Sequence, residues 1–306
     1  MRTTSRRIVV VLFATMLIAA ACGSSKSSDS SKSGGATATT TATLSVDQAL
    51  ADKLPAKLKS AGKIVVGTDA SYAPNEFFKE DNTTIQGMDV DLGKALGKIL
   101  GVDVVFENAD FKSIVPSLGT RYDLGISSFT DSKEREQTVD MVTYFKAGTS
   151  FLVQKGKNQD LTSLDAICGK KVGVEAGTVQ LDDATAQSTT CTTAGKGAVD
   201  VQAFPDQSGA NQALNSGRVD VVMLDTPVAN YQAKLSDGGF EVVGDSYGVA
   251  PYGIAVPKAA DYAGATDAIL GAIQKLNSSG AYTDILKTWG VEAGAITDFQ
   301  INGAVS

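Results

Sequence analysis

From residue 63 onward, apolar and polar positions alternate between two periods. Residues 63–67 (Lys-Ile-Val-Val-Gly) form a short apolar run of the kind a buried strand needs. Leu92, Ala95, Leu96, Ile99 and Leu100 then recur at helical spacing, and residues 102–106 return to a strand. A short helix over 113–118 and a strand edge over 122–127 complete a first set. The pattern restarts after Phe145: strands over 151–153, 171–174, 199–204, 219–224, 240–243 and 252–256. Helices are expected from Thr178, over 207–217, and over 227–235 with Pro227 in the first turn. The last two are expected over 262–277 and 281–289. Strand–helix alternation of this kind implies parallel βαβ units. Two such units with a C-terminal remainder predict an α/β chain of two lobes, the remainder rejoining the first. Ligand clefts in such folds lie beyond strand C-terminal ends.

The N-terminal region follows another pattern. A basic start with Arg2, Arg6 and Arg7 precedes residues 8–21, apolar except for Thr15, and then Cys22. This is the layout of a signal peptide, too short for a spanning helix. Residues 23–43 are Ser, Thr, Gly, Ala and Lys with a single Asp29 and no large apolar side chain, the composition of a flexible tether. A helix over 47–61 is expected from Ala49, Leu50, Leu54 and Leu58, with Pro55 against it. The expected domains are therefore a leader at 1–21, a tether with a short helix at 22–60, lobe 1 at 61–147 plus 250–306, and lobe 2 at 148–249.

Composition narrows the chemistry. The chain has 27 basic and 34 acidic residues, a net charge of −7, and no His. Loss of the leader's three arginines takes this to −10, since the leader carries no acid. Such a surface disfavours nucleic acid and anionic lipid. Without His there is no His-based triad, His-ligated zinc or His general base, and no spacing suggests a metal or cofactor site. Beyond Cys22, only Cys168 and Cys191 remain. In an exported chain the pair reads as a disulfide, worth ~3 kcal/mol on the loop-entropy model, with two free buried thiols as the alternative.

The residues just past strand ends carry the chemistry. Thr68-Asp69-Ala70-Ser71-Tyr72 follows the first strand, Gly87-Met88-Asp89 opens a helix, and Ser127-Ser128-Phe129-Thr130 leads to Arg135. Glu175-Ala176-Gly177-Thr178-Val179 opens another helix and Asp225 ends a strand. In this order the set resembles the bacterial family 3 extracellular solute-binding proteins, the amino-acid-capturing parts of ABC importers, over about residues 62–290. The resemblance implies a two-lobed fold of the type II periplasmic-binding-protein kind. It implies Arg135 as carboxylate clamp, Thr130 as hydroxyl donor, and Ser128 as a carbonyl for the ammonium. Gly177, Thr178 and Val179 would supply backbone N–H groups to the carboxylate, and Asp225 an ion pair to the ammonium. Tyr72, Phe111 and Phe129 would wall the side chain. Asp69, Asp89 and Glu175 would favour a basic or polar ligand. Taken alone, Arg135 reads as a solvated helix charge, Gly177-Thr178 as a helix start, Asp225 as a cap before Thr226-Pro227, and the aromatics as core.

Cys22 resembles a bacterial lipoprotein site, with Ala19 where Leu is usual. That implies a lipid anchor on the outer face of a membrane. The expectation is a monomeric, non-enzymatic binding protein that closes its lobes on an amino acid and presents it to a membrane permease. Hinges are expected near residues 146–150 and 247–251, with Gly148 and Gly248. The alternatives are a sensor that presents bound ligand to a receptor, or a dehydratase-like enzyme on the same fold.

Overall fold

The computed structural model describes residues 44–305; the expected leader, the expected lipid site Cys22 and the expected tether up to residue 43 lie outside them. Helices α1 (Gln48–Ala51) and α2 (Ala56–Ala61) replace the single helix expected from the spacing, because Pro55 interrupts it. Asp47 caps α1 through the Leu50 N–H. Leu54 and Leu58 are buried in the same core as the first strand, so the folded body starts before residue 60.

Strand β1 (Lys63–Thr68) leads through the short strands β2 (Ser71–Tyr72), β3 (Glu76–Phe78) and β4 (Ile85–Gln86), a three-stranded ribbon, to α3 (Met88–Leu100). On α3, Met88, Val90, Leu92, Ala95, Leu96, Ile99 and Leu100 are buried. Each large side chain among them contributes about 1.5–3 kcal/mol. Asp89 and Asp91 occupy its first turn, where the helix dipole favours anions. Strand β5 (Asp103–Asn108) pairs parallel with β1. The helix expected over 113–118 is instead α4 (Phe111–Ile114) followed by a 3-10 turn at Val115–Ser117 containing Pro116. Strand β6 (Leu124–Gly125) lies on the other side of β1.

The chain then enters β7 (Val139–Gln154), which is continuous through the segment read as a break. Beyond it lie β8 (Lys171–Glu175), α5 (Val179–Thr193), β9 (Asp200–Phe204), α6 (Gln207–Asn215), β10 (Val221–Asp225) and α7 (Thr226–Leu235). Strand β11 (Phe240–Pro257) joins what the periodicity gave as two strands and pairs antiparallel with β7 along nearly its whole length. Its register shifts between Val243 and Tyr247, between Tyr247 and Ala250, and at Tyr252–Gly253. Helices α8 (Ala265–Ser278) and α9 (Ala281–Trp289) return to pack on α3.

One eight-stranded sheet results, in the order β5-β1-β6-β11-β7-β10-β8-β9. In its first half, α3, α8 and α9 cover one face, and Phe111, Ile114, Tyr122, Phe129 and Met141 fill the other. In its second half, α5 packs on one face and α6 and α7 on the other. Cys168 and Cys191 form a disulfide with Cα atoms 5.5 Å apart, tying α5 to the loop before β8. The strand ends β1, β6, β8 and β10 therefore open toward a cleft between two packed halves, crossed only by β7 and β11.

Candidate functional site

The cleft closes over a small, narrow cavity. From the first half it is lined by Asp69, Tyr72, Glu76, Phe111, Ser127, Ser128, Thr130 and Arg135. From the second come Glu175, Thr178, Val179, Gln180 and Asp225.

Arg135 stands in the 3-10 turn Arg135–Gln137. Its Nη1 donates to the Thr130 carbonyl at 2.8 Å and its Nη2 crosses the cleft to the Gly177 carbonyl at 3.0 Å. The guanidinium lies 5.4 Å from the Phe111 ring centre and 5.5 Å from that of Phe129, and the two rings stack at 4.5 Å. This aromatic support holds the planar fork by cation–π attraction and leaves its remaining N–H groups directed at the cavity wall. Burial lowers its pKa, with Asp225 and Asp182 acting the other way. Phe129 is itself fully buried and braces Phe111 from behind, so only Phe111 of the two reaches the cavity.

Opposite Arg135, Gly177 (φ +85°) turns the chain into α5. A Cβ there would sit 2.7 Å from the Lys112 side chain, so a side chain would also prop the cleft open. The Thr178 hydroxyl accepts from the Leu181 N–H and donates to the Glu175 carbonyl, capping α5 as a helix-start residue does. Its first N–H groups lack intrahelical partners and suit an anion.

Asp225 forms no cap on α7; the side chain turns into the cleft instead. There it accepts from Tyr252 Oη at 2.6 Å and Gln180 Nε2 at 2.7 Å, while its backbone N–H donates to the Tyr72 hydroxyl at 3.0 Å. Burial raises its pKa against these donors. Tyr252 is fully buried on β11, and its backbone pairs with Thr130.

Three further acids line the cavity. Asp69, 4% exposed, accepts from the Phe111 N–H at 3.1 Å. Glu175, 3% exposed, faces it from the second half, and its Oε1 has no donor among the described residues. Burial first, then the Asp69 charge, push the Glu175 carboxyl well above the usual carboxylate range. Glu76 is fully buried, with Ser127 and Ser128 as its hydroxyl donors, and burial and Asp89 push it well up too.

Asp89 does not face the cavity. It lies one layer behind, accepting from the Ser128 N–H at 2.7 Å and from the Tyr144 hydroxyl at 2.8 Å, with burial raising its pKa to about 6. It holds Ser128 in a left-handed conformation (φ +49°) that a serine adopts only when fixed. Gly87, which opens α3, has a packing reason to be glycine: a Cβ would fall 2.0 Å from the Asn75 carbonyl oxygen. Sequence reasoning missed Glu76, Ser127 and Gln180 as lining residues. Ser127 and Gln180 adjoin assigned positions, and Glu76 follows Tyr72 closely, which was the available signal.

An α/β body of two halves, joined by two long strands and closed over a polar cavity, defines a solute-binding protein of the type II periplasmic-binding-protein fold. A sequence profile of the bacterial extracellular solute-binding proteins, family 3, matches residues 64–292, and the chain belongs to that family. Arginine-binding protein ArgT of Corynebacterium glutamicum is 33% identical over 252 residues, covering 81% of each chain. L-cystine-binding protein TcyJ of Escherichia coli is 28% identical over 250 residues, covering 81% of this chain and 90% of that one. The solved structure of an ancestral arginine-binding protein bound to arginine matches with a TM-score of 0.67 at 36% identity, covering 74% of this chain and 98% of that one.

Proposed function

We propose that the protein captures a cationic amino acid, L-arginine foremost, outside the cytoplasm and presents it to an ABC-type import permease. One observation carries the choice of ligand. Asp69, Glu76, Glu175 and Asp225 all reach the cavity, whereas Arg135 is its one cationic lining residue. A zwitterion with a neutral side chain brings one positive and one negative group, so Arg135 and Asp225 are enough to match it. The surplus includes Glu175, whose Oε1 is buried with no donor among the described residues. A buried acid without a partner is costly, and a guanidinium between Asp69 and Glu175 would remove that cost. The arginine-binding names of two relatives support this reading; the cystine-binding relative marks its rival.

In this reading Arg135, Thr130 and the start of α5 hold the α-carboxylate, Asp225 and the Ser128 carbonyl hold the ammonium, and Tyr72 and Phe111 flank the stem. The halves move about the irregular stretch of β7 and β11, with lobes at 61–147 plus 250–306, on which residues 44–60 pack, and at 148–249. A lipid on Cys22 would keep the monomeric domain near its permease. Binding of this kind requires no cofactor and no covalent step.

The test is a thermal-shift screen of the protein amino acids with ornithine and citrulline, followed by calorimetry. A ligand at 100 times its Kd stabilises by ~2.7 kcal/mol. Arginine should give the largest shift. A larger shift with cystine or a neutral amino acid than with arginine refutes the cationic assignment, and no shift with any of them refutes amino-acid capture.

A further inference from the structure

We propose that the C-terminal strap, residues 300–305, is a positioning device for the Arg135 turn and sets ligand affinity without touching the cavity. The inference rests on the reading of Arg135 as ligand clamp.

In the first half of the sheet, β7 has β11 on one side and no strand of the sheet on the other, since β10 pairs only with its far end, at residues 149–152. An open edge of this kind invites another chain segment. The strap fills it. Val142 bridges Ile301, the Thr143 N–H donates to the Gln300 carbonyl at 2.9 Å, and the Asn302 N–H donates to the Met141 carbonyl at 2.7 Å. The Asn302 side chain adds bonds to the Met141 N–H and to Asp140.

Beyond Asn302 the strap leaves the edge and reaches the clamp turn. The Gly303 N–H donates to Asp131 Oδ2 at 2.8 Å and the Ala304 N–H donates to Glu136 Oε1 at 2.9 Å. Asp131 stands four residues before Arg135, where the loop into its turn begins, and Glu136 directly after it, inside the turn. Asp131 is fully buried, yet its Oδ1 has no donor among the described residues. Burial, with Glu136 beside it, raises the Asp131 carboxyl to about 7. The remaining outer supports are slight: Lys133 pairs with Glu136, and Lys258 reaches the Glu136 carbonyl and Asp140. On the inner side, the Asp131 N–H bonds to Pro251 and the Arg135 N–H to Ser132. Two adjacent N–H groups of the strap thus fix both ends of the loop that aims the guanidinium. Charge-assisted bonds of this type are short, directional and stronger than neutral ones.

Deletion of residues 303–306 removes both donors and spares the edge pairing. The Kd for L-arginine should rise about tenfold, the scale for positions acting on a site they do not contact. The melting temperature should change little. Asp131→Ala should reproduce the loss. Asp131→Asn should retain wild-type affinity, because its amide oxygen still accepts from Gly303 and its NH2 can donate to Glu136. Arginine affinity unchanged by the deletion overturns the proposal, and so does an Asp131→Asn variant as weak as Asp131→Ala. Hydrogen exchange of the ligand-free protein gives an independent reading. Amides of residues 132–138 should exchange faster after the deletion, and unchanged protection overturns the proposal. If the wild type binds no arginine, the ligand assignment fails alone and the exchange result decides for the strap.

Discussion

Replacing Glu175 by Gln should move affinity and stability in opposite directions. The side chain is 3% exposed, one oxygen has no donor, and the nearest charge across the cleft is another acid, Asp69. Gln keeps the shape and removes the charge. For a bound guanidinium the loss is that of a hydrogen bond to a charged group, about 1.5–3 kcal/mol. That corresponds to roughly a 10- to 150-fold rise in the arginine Kd. For the ligand-free protein the sign reverses. A carboxyl whose folded pKa is raised contributes its stability below the unfolded value and loses it as pH rises through the folded value. As pH rises above the usual carboxylate range the wild type takes on this cost and the variant does not. A relief of about 1 kcal/mol shifts the melting temperature of a domain this size by roughly 2–4 °C. Near pH 4 the difference should vanish. Calorimetry with arginine and with citrulline, its uncharged isostere, separates charge from shape: citrulline binding should change far less. Equal losses for the two ligands, or a variant no more stable than wild type at pH 8, would refute the argument.

Arg135→Ala should weaken arginine binding by at least ~2 kcal/mol with the fold retained, because a desolvated carboxylate is left unmatched; titration calorimetry with circular dichroism checks both halves. Arginine binding should release protons from the raised Glu76, Asp89 and Glu175 carboxyls, so its observed enthalpy should vary with buffer ionisation enthalpy and its affinity should increase from pH 5 toward 8. Reduction of Cys168–Cys191 should cost about 3 kcal/mol and lower the melting temperature, read by thermal scans with and without reductant. Tyr252→Phe should weaken arginine binding by about 1–2 kcal/mol, as Asp225 would lose its shortest hydrogen bond.

The repeating apolar periods made most helices and the parallel strands legible. Two features were not. Strands β7 and β11 read as fragments because Lys146 and Gly148, or Gly244, Asp245 and Ser246, interrupt the apolar run where the strands pass between cores. Strands β2 to β4 are two or three residues long, too short for any period to register. The latter costs the reading Glu76, which sits on β3. At the site, positions after strand ends were legible because topology fixes where such residues go. Asp89 was not, since rotation of α3 about its axis decides whether the first-turn acid meets the cavity or the back of Ser128. Phe129 shows the same limit: aromatics just past two strand ends, Phe111 after β5 and Phe129 after β6, are alike in sequence, and only stacking order tells wall from buttress. Asp225 resolves the other way, as a residue with the sequence context of a helix cap whose side chain is held by Tyr252 and Gln180.

Tyr252 touches both ends of the proposed α-amino-acid subsite from one strand. Its backbone pairs with Thr130, whose carbonyl holds Arg135, and its hydroxyl holds Asp225. That strand is also one of the two that join the halves. On the proposed reading, the grip that every amino acid shares is therefore tied to a joining strand, while Asp69 and Glu175, proposed to meet the variable part, stand on opposite halves. Exchanges at these two acids can retune which side chain is accepted and leave the common grip undisturbed. Selection, or a designer wanting a sensor for another amino acid, can vary one without rebuilding the other.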